Sequence, residues 1–401
     1  KSIYLNIGNI INYYMISFIS NELEDFRIKI RKFCEENIQK NASRWDENEE
    51  FPVESHKALA EEGILGLGIP EEYGGTDPSK IKEIIATEEI ARVDSNTAIL
   101  MELKSLYENT ILFFGNENQK KTLKEIVAGE KIPAFAFTEP VGGTDVGGIR
   151  STAKKVNDTY YLTGSKNFIT NALVADYFIV FAKTAPELRE RGISAFLVEK
   201  NTPNFRIGPK IHMTGMRGTA ISSLYYNNSP ITERSIIGTE NMGLKIFSTV
   251  LERARVTLSA GSLGMMQRIF EESVRFANNR ESNGLSIINY QYIQNYISEI
   301  LTNLEASRLL VYNTAMLMDM KKPISIESTA TKLFVTEALM KSVENSLHVS
   351  GGFGYLRGTV IERFARDAHA STLGLGSSEA MKIILTHLIK QSNVKNKNKF
   401  A

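Results

Sequence analysis

Two threonines, Thr138 and Thr170, each follow a short segment that contains phenylalanine, close to residues typical of turns. In FAFTEPVGGTDVGG (135–148), Phe135 and Phe137 alternate before Thr138, and a Pro–Gly turn with further glycines follows. Backbone N–H groups in such a turn, with the hydroxyls of Thr138 and Thr144, can approach a flat polar ligand closely. Ordinary β-turns that pack core aromatics have the same pattern, so both interpretations stay open from these residues alone.

Two further segments could take part in such a site. In TGSKNFIT (163–170), period-2 alternation places Phe168 and Thr170 on one face of a strand. In STLGLGSSEAM (371–381), two glycines flank Leu375 just before a helical pattern. Glycines there either cradle a phosphate or let the backbone come close to a planar group.

Composition narrows the functional classes. The chain has 401 residues with 47 Lys+Arg against 46 Asp+Glu, so no strong field favours nucleic acid or a membrane surface as partner. The single cysteine, Cys34, fits a reducing, cytoplasmic compartment. Five scattered histidines predict no metal site. Residues 1–14, before Met15, are interpreted as a non-native or disordered leader.

The pattern of hydrophobic residues changes twice along the chain. Apolar residues recur at helical spacing from about 20 to 130, short β-branched and aromatic runs occupy about 134 to 235, and long helical patterns return from 240 to 392. Helices, then a β block, then helices again predict an α+β fold and argue against the alternating pattern of a dinucleotide-binding Rossmann unit.

The ordered motifs along the chain resemble the acyl-CoA dehydrogenase family, nearest in loop pattern to its isovaleryl-CoA dehydrogenase branch, which includes oxidases of carrier-bound acyl or prolyl groups. They are LGLGIPEEYGG (65–75), FTEPVGGTDVGG, GSKNFITNA, GMRGT (215–219), SGGFGY (350–355), ERFARDA (362–368) and GSSE (376–379). The resemblance implies an N-terminal helical domain at 15–133, a middle β domain (barrel or sandwich) at 134–238 and a C-terminal four-helix bundle at 239–401.

The resemblance also implies bound FAD. Phe168 stands where relatives often have a ring-stacking tryptophan, and Thr170 is expected to bond near the reactive flavin nitrogen. Arg280 is expected to meet the pyrophosphate of the neighbouring subunit's FAD. The remaining FAD contacts carried over from the family are Phe135, Phe137, Thr138, Gly143, Thr144, Gln291, His348, Gly351, Gly352, Ser377 and Glu379.

The catalytic base of the family is missing. Its chemistry removes a proton α to a thioester carbonyl, which needs a positioned carboxylate in a dry pocket. Most relatives have glutamate at the position of Leu375, which here can offer only its backbone N–H to the thioester carbonyl. In the isovaleryl branch the glutamate precedes the arginine that matches Arg255, and that position is Ala254.

Three explanations stay open. The base comes from a neighbour, of which Glu252 is nearest but points about 200° away around the helix. Alternatively, glutamate at 254 was replaced deliberately to trap a substrate. Otherwise the protein uses its flavin for oxygenation, which needs no carboxylate base. Glu379 is expected to cap a helix or meet FAD, and His369 to be structural or solvated.

These observations predict a cytoplasmic, FAD-dependent dehydrogenase or oxidase that acts on the α,β carbons of an acyl or aminoacyl thioester carried on CoA or a carrier protein. The alternative is a flavin-dependent monooxygenase on the same scaffold. The expected electron acceptor is an electron-transfer flavoprotein or oxygen, and the expected assembly is a homotetramer or homodimer.

Overall fold

The structure, a computed structural model, describes residues 19–397, so the predicted leader at 1–14 lies outside the described residues. The chain begins with helices whose starts are encoded locally. The hydroxyl of Ser20 accepts from the backbone N–H of Leu23 at 3.3 Å, and Asn116 and Gln119 form a reciprocal capping box. These helices are α1 (Asn21–Asn37), α2 (Ala42–Glu47), α3 (Val53–Glu61), α4 (Lys80–Val93), α5 (Ser95–Phe114) and α6 (Glu117–Val127).

Helix α4 is buried on all sides. Every residue from Lys80 to Val93 except Lys82 is buried, because α1 covers one side of the helix and the long C-terminal helix that starts at Gly243 covers another. The helix is not apolar all round: its buried charged side chains are held by ion pairs, such as Glu83 with Lys104 and Glu88 with Arg308. This helix therefore joins the two helical parts of the chain.

One eight-stranded sheet follows in the chain. Its strands are β1 (Pro133–Ala136), β2 (Thr152–Val156), β3 (Thr159–Ile169), β4 (Tyr177–Lys183), β5 (Ile193–Glu199), β6 (Phe205–Lys210), β7 (Ser222–Thr232) and β8 (Ile236–Ile237). The order is β6-β7-β3-β2-β4-β5-β8, with β1 parallel to β4.

The sheet is buried on both faces at β4. Phe178 and Val180 pack into a core within the β domain, whereas Ile179 and Phe181 face the opposite side and pack with residues of the helices. This split follows from the alternation of side chains along a strand. The helix-facing side is where the sheet meets the long C-terminal helix.

The C-terminal part is helical again. It contains α7 (Gly243–Asn279), a short hairpin of β9 (Glu281–Ser282) and β10 (Leu285–Ser286), α8 (Gln291–Asp319), α9 (Ser325–Ser350), α10 (Val360–Leu373) and α11 (Ser378–Lys397). Helix α7 has 37 residues, about 55 Å of length, and packs against α4, α5, α8 and α9. The predicted α+β order of helices, β block and helices is confirmed. The domain bounds at 133/134 and 238/239 stay a prediction.

Two glycines in α7 give a matched test of this packing. A Cβ at Gly264 would clash with the Glu88 carbonyl oxygen and lie 2.9 Å from the Ala91 Cβ, whereas a Cβ at Gly261 meets no described atom within 4 Å. We expect Gly264→Ala to lower the free energy of unfolding by about 1–3 kcal/mol through overpacking. Gly261→Ala should raise it by about 0.5–1 kcal/mol, because alanine loses less backbone entropy in a helix.

Urea unfolding followed by circular dichroism, at fixed protein and FAD concentrations, measures both changes. Equal midpoints for the two variants would contradict the close α4–α7 contact.

Candidate functional site

A largely apolar cavity of about 170 Å³ lies between α4, α5, α7 and α10, below the loop that leads into β7. Thr170, one residue past β3, lies at this cavity, and so does Gly374, just past α10. The β domain and the C-terminal helices thus both reach this space. Most of the apolar wall comes from Ala98, Ile99, Met213, Met216, Leu258 and Met265.

The wall contributed by α5 is one helical face. Ser95, Ala98, Ile99 and Glu102 line the cavity at positions i, i+3, i+4 and i+7. One turn further, the hydroxyl of Thr257 on α7 donates to the Ser105 hydroxyl at 3.1 Å. This bond places Glu102 beside the part of α7 that follows Ala254.

Neither expected base position carries a proton acceptor on its side chain. Ala254 is fully buried in the core between α7 and the sheet. Leu375 is half-buried with φ +53°, and its carbonyl accepts a 3.2 Å hydrogen bond from Nε of Arg255. Two cations hold this loop, because the ammonium of Lys332 donates to the carbonyls of Thr372 at 3.0 Å and Gly376 at 2.8 Å.

The two glutamates considered from sequence are engaged elsewhere. The Glu252 carboxylate accepts from the Ser325 hydroxyl at 2.7 Å and does not line the cavity. Glu379 is exposed in the first turn of α11, where its own backbone N–H and the Ser377 hydroxyl lower the pKa of its carboxyl. The Ser377 hydroxyl also accepts from the Ala380 N–H at 3.3 Å, so both residues act at this helix start. His369 is exposed, with Nδ1 3.0 Å from the Ala365 carbonyl.

Glu102 is the residue that sequence reasoning missed. Its half-buried carboxyl has no hydrogen-bond partner among residues 19–397, and burial raises its pKa to about 8 against the opposing charge of Lys332. The sequence held one indication of this site: Glu102 follows Ser95, Ala98 and Ile99 at helical spacing, so all four side chains share one face of the helix. Its pKa matches that of a group that accepts a proton near neutral pH.

A second carboxyl in the cavity is already bonded. Asp367 of α10 accepts from the Ser95 hydroxyl and from the Met216 backbone N–H at 2.6 Å. Burial nevertheless raises the pKa of Asp367 to about 6. Asp367 thus ties α10 to α5 and to the loop before β7.

The end of β3 carries the residues expected against the flavin ring. The β3–β7 register shifts between Lys166 and Ile169, and in this bulge Phe168 takes φ +55° with 56% of its surface exposed. The Asn167 N–H donates to the Thr138 carbonyl at 2.8 Å. The bulge therefore lies against the Thr138 loop. The predicted period-2 alternation of Phe168 and Thr170 is wrong, because the bulge turns the Phe168 ring outward whereas Thr170, past the end of β3, lines the cavity.

The loop after β1 bends back on Thr138. A Cβ at Gly143 would lie 3.3 Å from Oγ1 of Thr138, and the carbonyl of the exposed Thr144 accepts from the Val146 N–H at 3.1 Å. The structure thus brings Thr138, Gly143 and the Phe168 bulge together.

A buried ion pair supports this loop from below. The Lys166 ammonium lies 2.8 Å from Glu139 and 3.2 Å from the Phe137 carbonyl, and both charged side chains are almost fully buried. Glu139 also accepts from the Ser151 N–H at 3.0 Å. Burial lowers the pKa of Lys166 to about 8, and the Glu139 charge opposes this shift.

The two phenylalanines before Thr138 pack inward. The Phe137 ring is 5% exposed and stacks on Phe247 of α7 with centroids 3.9 Å apart. Phe135 lies 5.2 Å from the Phe181 ring centroid. This aromatic group joins the sheet to α7, which leaves the buried Phe137 ring little surface for a ligand.

A second cavity, of about 500 Å³, gathers another part of the predicted set. Arg280, His348, Gly351 and Gly352 line it, and a Cβ at either glycine would meet no described atom within 4 Å. The buried Ser350 hydroxyl also lines it and has no hydrogen-bond partner among the described residues. Open backbone, a guanidinium and an orphan hydroxyl fit a phosphate-bearing ligand.

The two regions lie far apart in one chain. Ala254 and Arg280 are 26 residues apart along and just beyond α7, about 39 Å at helical rise. Gln291, the first residue of α8, is exposed and does not line the second cavity. The cavity beside Thr170 and the cavity beside Arg280 are therefore separate sites in the monomer.

The described part of the chain offers neither a metal-binding cluster nor a membrane-spanning helix. Among residues 19–397, no group of three His, Cys, Asp or Glu side chains could hold a metal ion. No helix described there is long and apolar enough to cross a bilayer.

Comparison with known proteins gives matches along nearly the whole chain. Models described as the acyl-CoA dehydrogenase N-terminal, middle and C-terminal domains match residues 20–130, 134–229 and 241–389. An acyl-CoA dehydrogenase of Bacillus subtilis (strain 168) is 34% identical over 370 residues, which is 92% of this chain and 98% of the relative.

Solved structures agree with these matches. Butyryl-CoA dehydrogenase from Megasphaera elsdenii is similar with a TM-score of 0.90 and 30% identity, covering 94% of this chain and all of that one. The prolyl acyl carrier protein oxidase AnaB has a TM-score of 0.90 and 29% identity, covering 92% of this chain and 99% of that one.

The buried Lys166–Glu139 pair should control FAD binding. We expect Lys166→Met to leave Glu139 as a buried, unpaired charge, which costs about 3 kcal/mol or more and loosens the Thr138 loop. The FAD dissociation constant should rise at least about tenfold, equivalent to 1.4 kcal/mol. Fluorescence titration of apoprotein with FAD measures it.

Lys155→Met is the matched control, because Lys155 pairs with Glu233 on the exposed surface of the same sheet. FAD affinity should stay near that of the unmodified protein in this variant. Equal FAD affinity in both variants would show that the buried pair does not support the cofactor loop.

Proposed function

The chain belongs to the acyl-CoA dehydrogenase family of FAD-dependent oxidoreductases that act on CH–CH bonds, and we propose that it oxidises a compact acyl or aminoacyl thioester between its α and β carbons. The membership confirms the predicted enzyme class and cofactor. The observation that supports the proposal is the small, largely apolar cavity lined by Thr170, one of the residues expected to contact the flavin.

The described residues fit FAD in two places. Thr138, Gly143, Thr144, Phe168 and Thr170 form an open, hydroxyl-bearing edge for the ring, where bound FAD supplies a hydride acceptor. The second cavity, with Arg280, His348, Gly351 and Gly352, suits the phosphate-bearing part.

The separation of these regions supports an oligomer. One chain would hold the ring of its own FAD, and the Arg280 cavity would receive the dinucleotide of a neighbouring subunit. We therefore propose a homodimer or homotetramer in which each FAD contacts two chains. Gln291 is exposed. In this proposal it contacts the same neighbouring FAD as the cavity lined by Arg280.

The acyl chain would enter between α5 and α7. The loop at 374–376 closes one side of the cavity, and a Cβ at Gly374 would lie 3.3 Å from the Leu258 side chain. The backbone N–H of Leu375 would then hold the thioester carbonyl and stabilise the charge that develops on it. The dry, apolar wall excludes water from the reacting carbons.

The proposal covers thioesters of both CoA and carrier proteins, because both present the same pantetheine arm. Similar proteins include a butyryl-CoA dehydrogenase and a prolyl acyl carrier protein oxidase, one of each kind. An electron-transfer flavoprotein or oxygen would take the electrons from the reduced cofactor.

A second candidate is flavin-dependent oxygenation on the same scaffold. The observation in its favour is that neither Ala254 nor Leu375 supplies a carboxylate. Such an enzyme would receive reduced flavin from a separate reductase and would not oxidise a thioester in the absence of oxygen.

Anaerobic mixing separates the two candidates. We expect a panel of short acyl-CoA and prolyl carrier-protein thioesters to contain one that bleaches the oxidised flavin, followed by its visible absorbance. Ala254→Glu should speed bleaching further, because it adds a carboxylate at the position used in the isovaleryl branch. If no thioester bleaches the flavin in either protein, dehydrogenation is excluded.

A further inference from the structure

The proposed oxidation needs a group that takes the α-proton, and the cavity holds two carboxyl groups. They belong to Glu102 of α5 and Asp367 of α10. Asp367 accepts hydrogen bonds from the Ser95 hydroxyl and the Met216 N–H, so its oxygens are already engaged with the wall. Glu102 accepts no hydrogen bond from any residue in the described range 19–397 and is partly exposed to the cavity.

Glu102 also lies on the wall of the cavity where α5 meets α7. The Ser105–Thr257 bond sets α5 against α7 one turn away from it, beside the segment that follows Ala254. Lys332 of α9, which donates to the carbonyl of Gly376, is close enough for its charge to act on the Glu102 carboxyl. Glu102 on α5 and Gly374 at the start of the 374–376 loop therefore line the same cavity.

We propose that Glu102 is the catalytic base of this enzyme, so that the proton acceptor absent from positions 254 and 375 comes from helix α5. This inference rests on the proposed function. The α-carbon–hydrogen bond breaks, the proton passes to a Glu102 oxygen, and the electron pair forms the new double bond. Bound FAD would supply the acceptor for the β-hydrogen, which carries its electron pair away as hydride and so balances the oxidation.

Burial of Glu102 serves this role. A carboxylate in an apolar wall is poorly solvated, which strengthens it as a base toward a weakly acidic C–H bond. The charged groups around it are Lys332 from α9, Asp367 from α10 and, next to Lys332, Arg255 from α7. The Lys332 charge favours the ionised form of Glu102, whereas burial, followed by the nearby Arg255 charge, lowers the pKa of Lys332 itself to about 8.

Exchange of the α-hydrogen tests the proton step without oxidation. Butyryl-CoA is incubated with holoenzyme in D₂O without oxygen or an electron acceptor, and deuterium in the recovered thioester is measured by mass spectrometry. We expect Glu102→Gln to slow exchange at least about 100-fold, the usual contribution of a general base. Adding Leu375→Glu to this variant should restore exchange, because it returns a carboxylate to the family position.

Glu344→Gln is the control, since Glu344 pairs with Lys341 on the surface of α9. Exchange at the unmodified rate in Glu102→Gln would overturn the proposal, and so would activity that appears only with Leu375→Glu in an otherwise intact chain. If no variant, including Leu375→Glu, exchanges or oxidises any thioester of the panel, the proposed function itself fails.

The ionisation of Glu102 gives an independent readout. Its pKa of about 8 lies above the ordinary 4.5 for glutamate, so the carboxyl is mostly protonated below pH 8 and ionised above it. The exchange rate should therefore rise from pH 6 to 9 with a midpoint near 8. Difference infrared spectra of the apoprotein should show a protonated carboxyl band that disappears over the same range.

That band should be missing in Glu102→Gln. A pH-independent exchange rate, or an infrared band that persists unchanged in the variant, would contradict the assignment.

Discussion

The close contact of α7 with α4 and α5 is the constraint on which both the fold and the site depend. Gly264 lets the backbone of α7 approach the end of α4 near Glu88, and the Ser105–Thr257 bond sets α5 in register further along. The cavity is the space left where these helices separate around Gly261. A shift of this contact would move the cavity wall and the loop that closes it.

Buried charges hold the same helices from the other side. The Lys104 ammonium donates to the Leu67 carbonyl at 2.6 Å and to Glu83 and Glu108 at 2.8 and 2.6 Å. Buried ions are tolerated only when each has such partners, and removing one partner leaves a costly unpaired charge. Lys104 and Glu108 lie on the face of α5 that is turned away from Glu102, so this network fixes the helix that carries the candidate base.

Lys104 and Glu102, both on α5, have different surroundings. Lys104 donates to one carbonyl and two carboxylates, whereas Glu102 lines a largely apolar cavity and is opposed in its pKa shift by the Lys332 charge. Two positions apart on α5, Lys104 is held by three hydrogen bonds, whereas Glu102 has none among the described residues and burial raises its pKa to about 8. This contrast is typical of functional groups, whose protonation state must change, beside structural ones, whose state must not.

The sequence by itself determined the order of elements and the family, because hydrophobic periodicity and turn motifs are local. It also indicated the Thr138 loop, Phe168 and the glycines at 351–352 as candidate cofactor contacts, and it showed that Ala254 and Leu375 lack a carboxylate. Only the tertiary structure decided that Glu102 of α5 lies in the cavity with Thr170 and Gly374, and that Phe137 points into the core. These relations join residues far apart in the chain through helix packing, which no local pattern encodes.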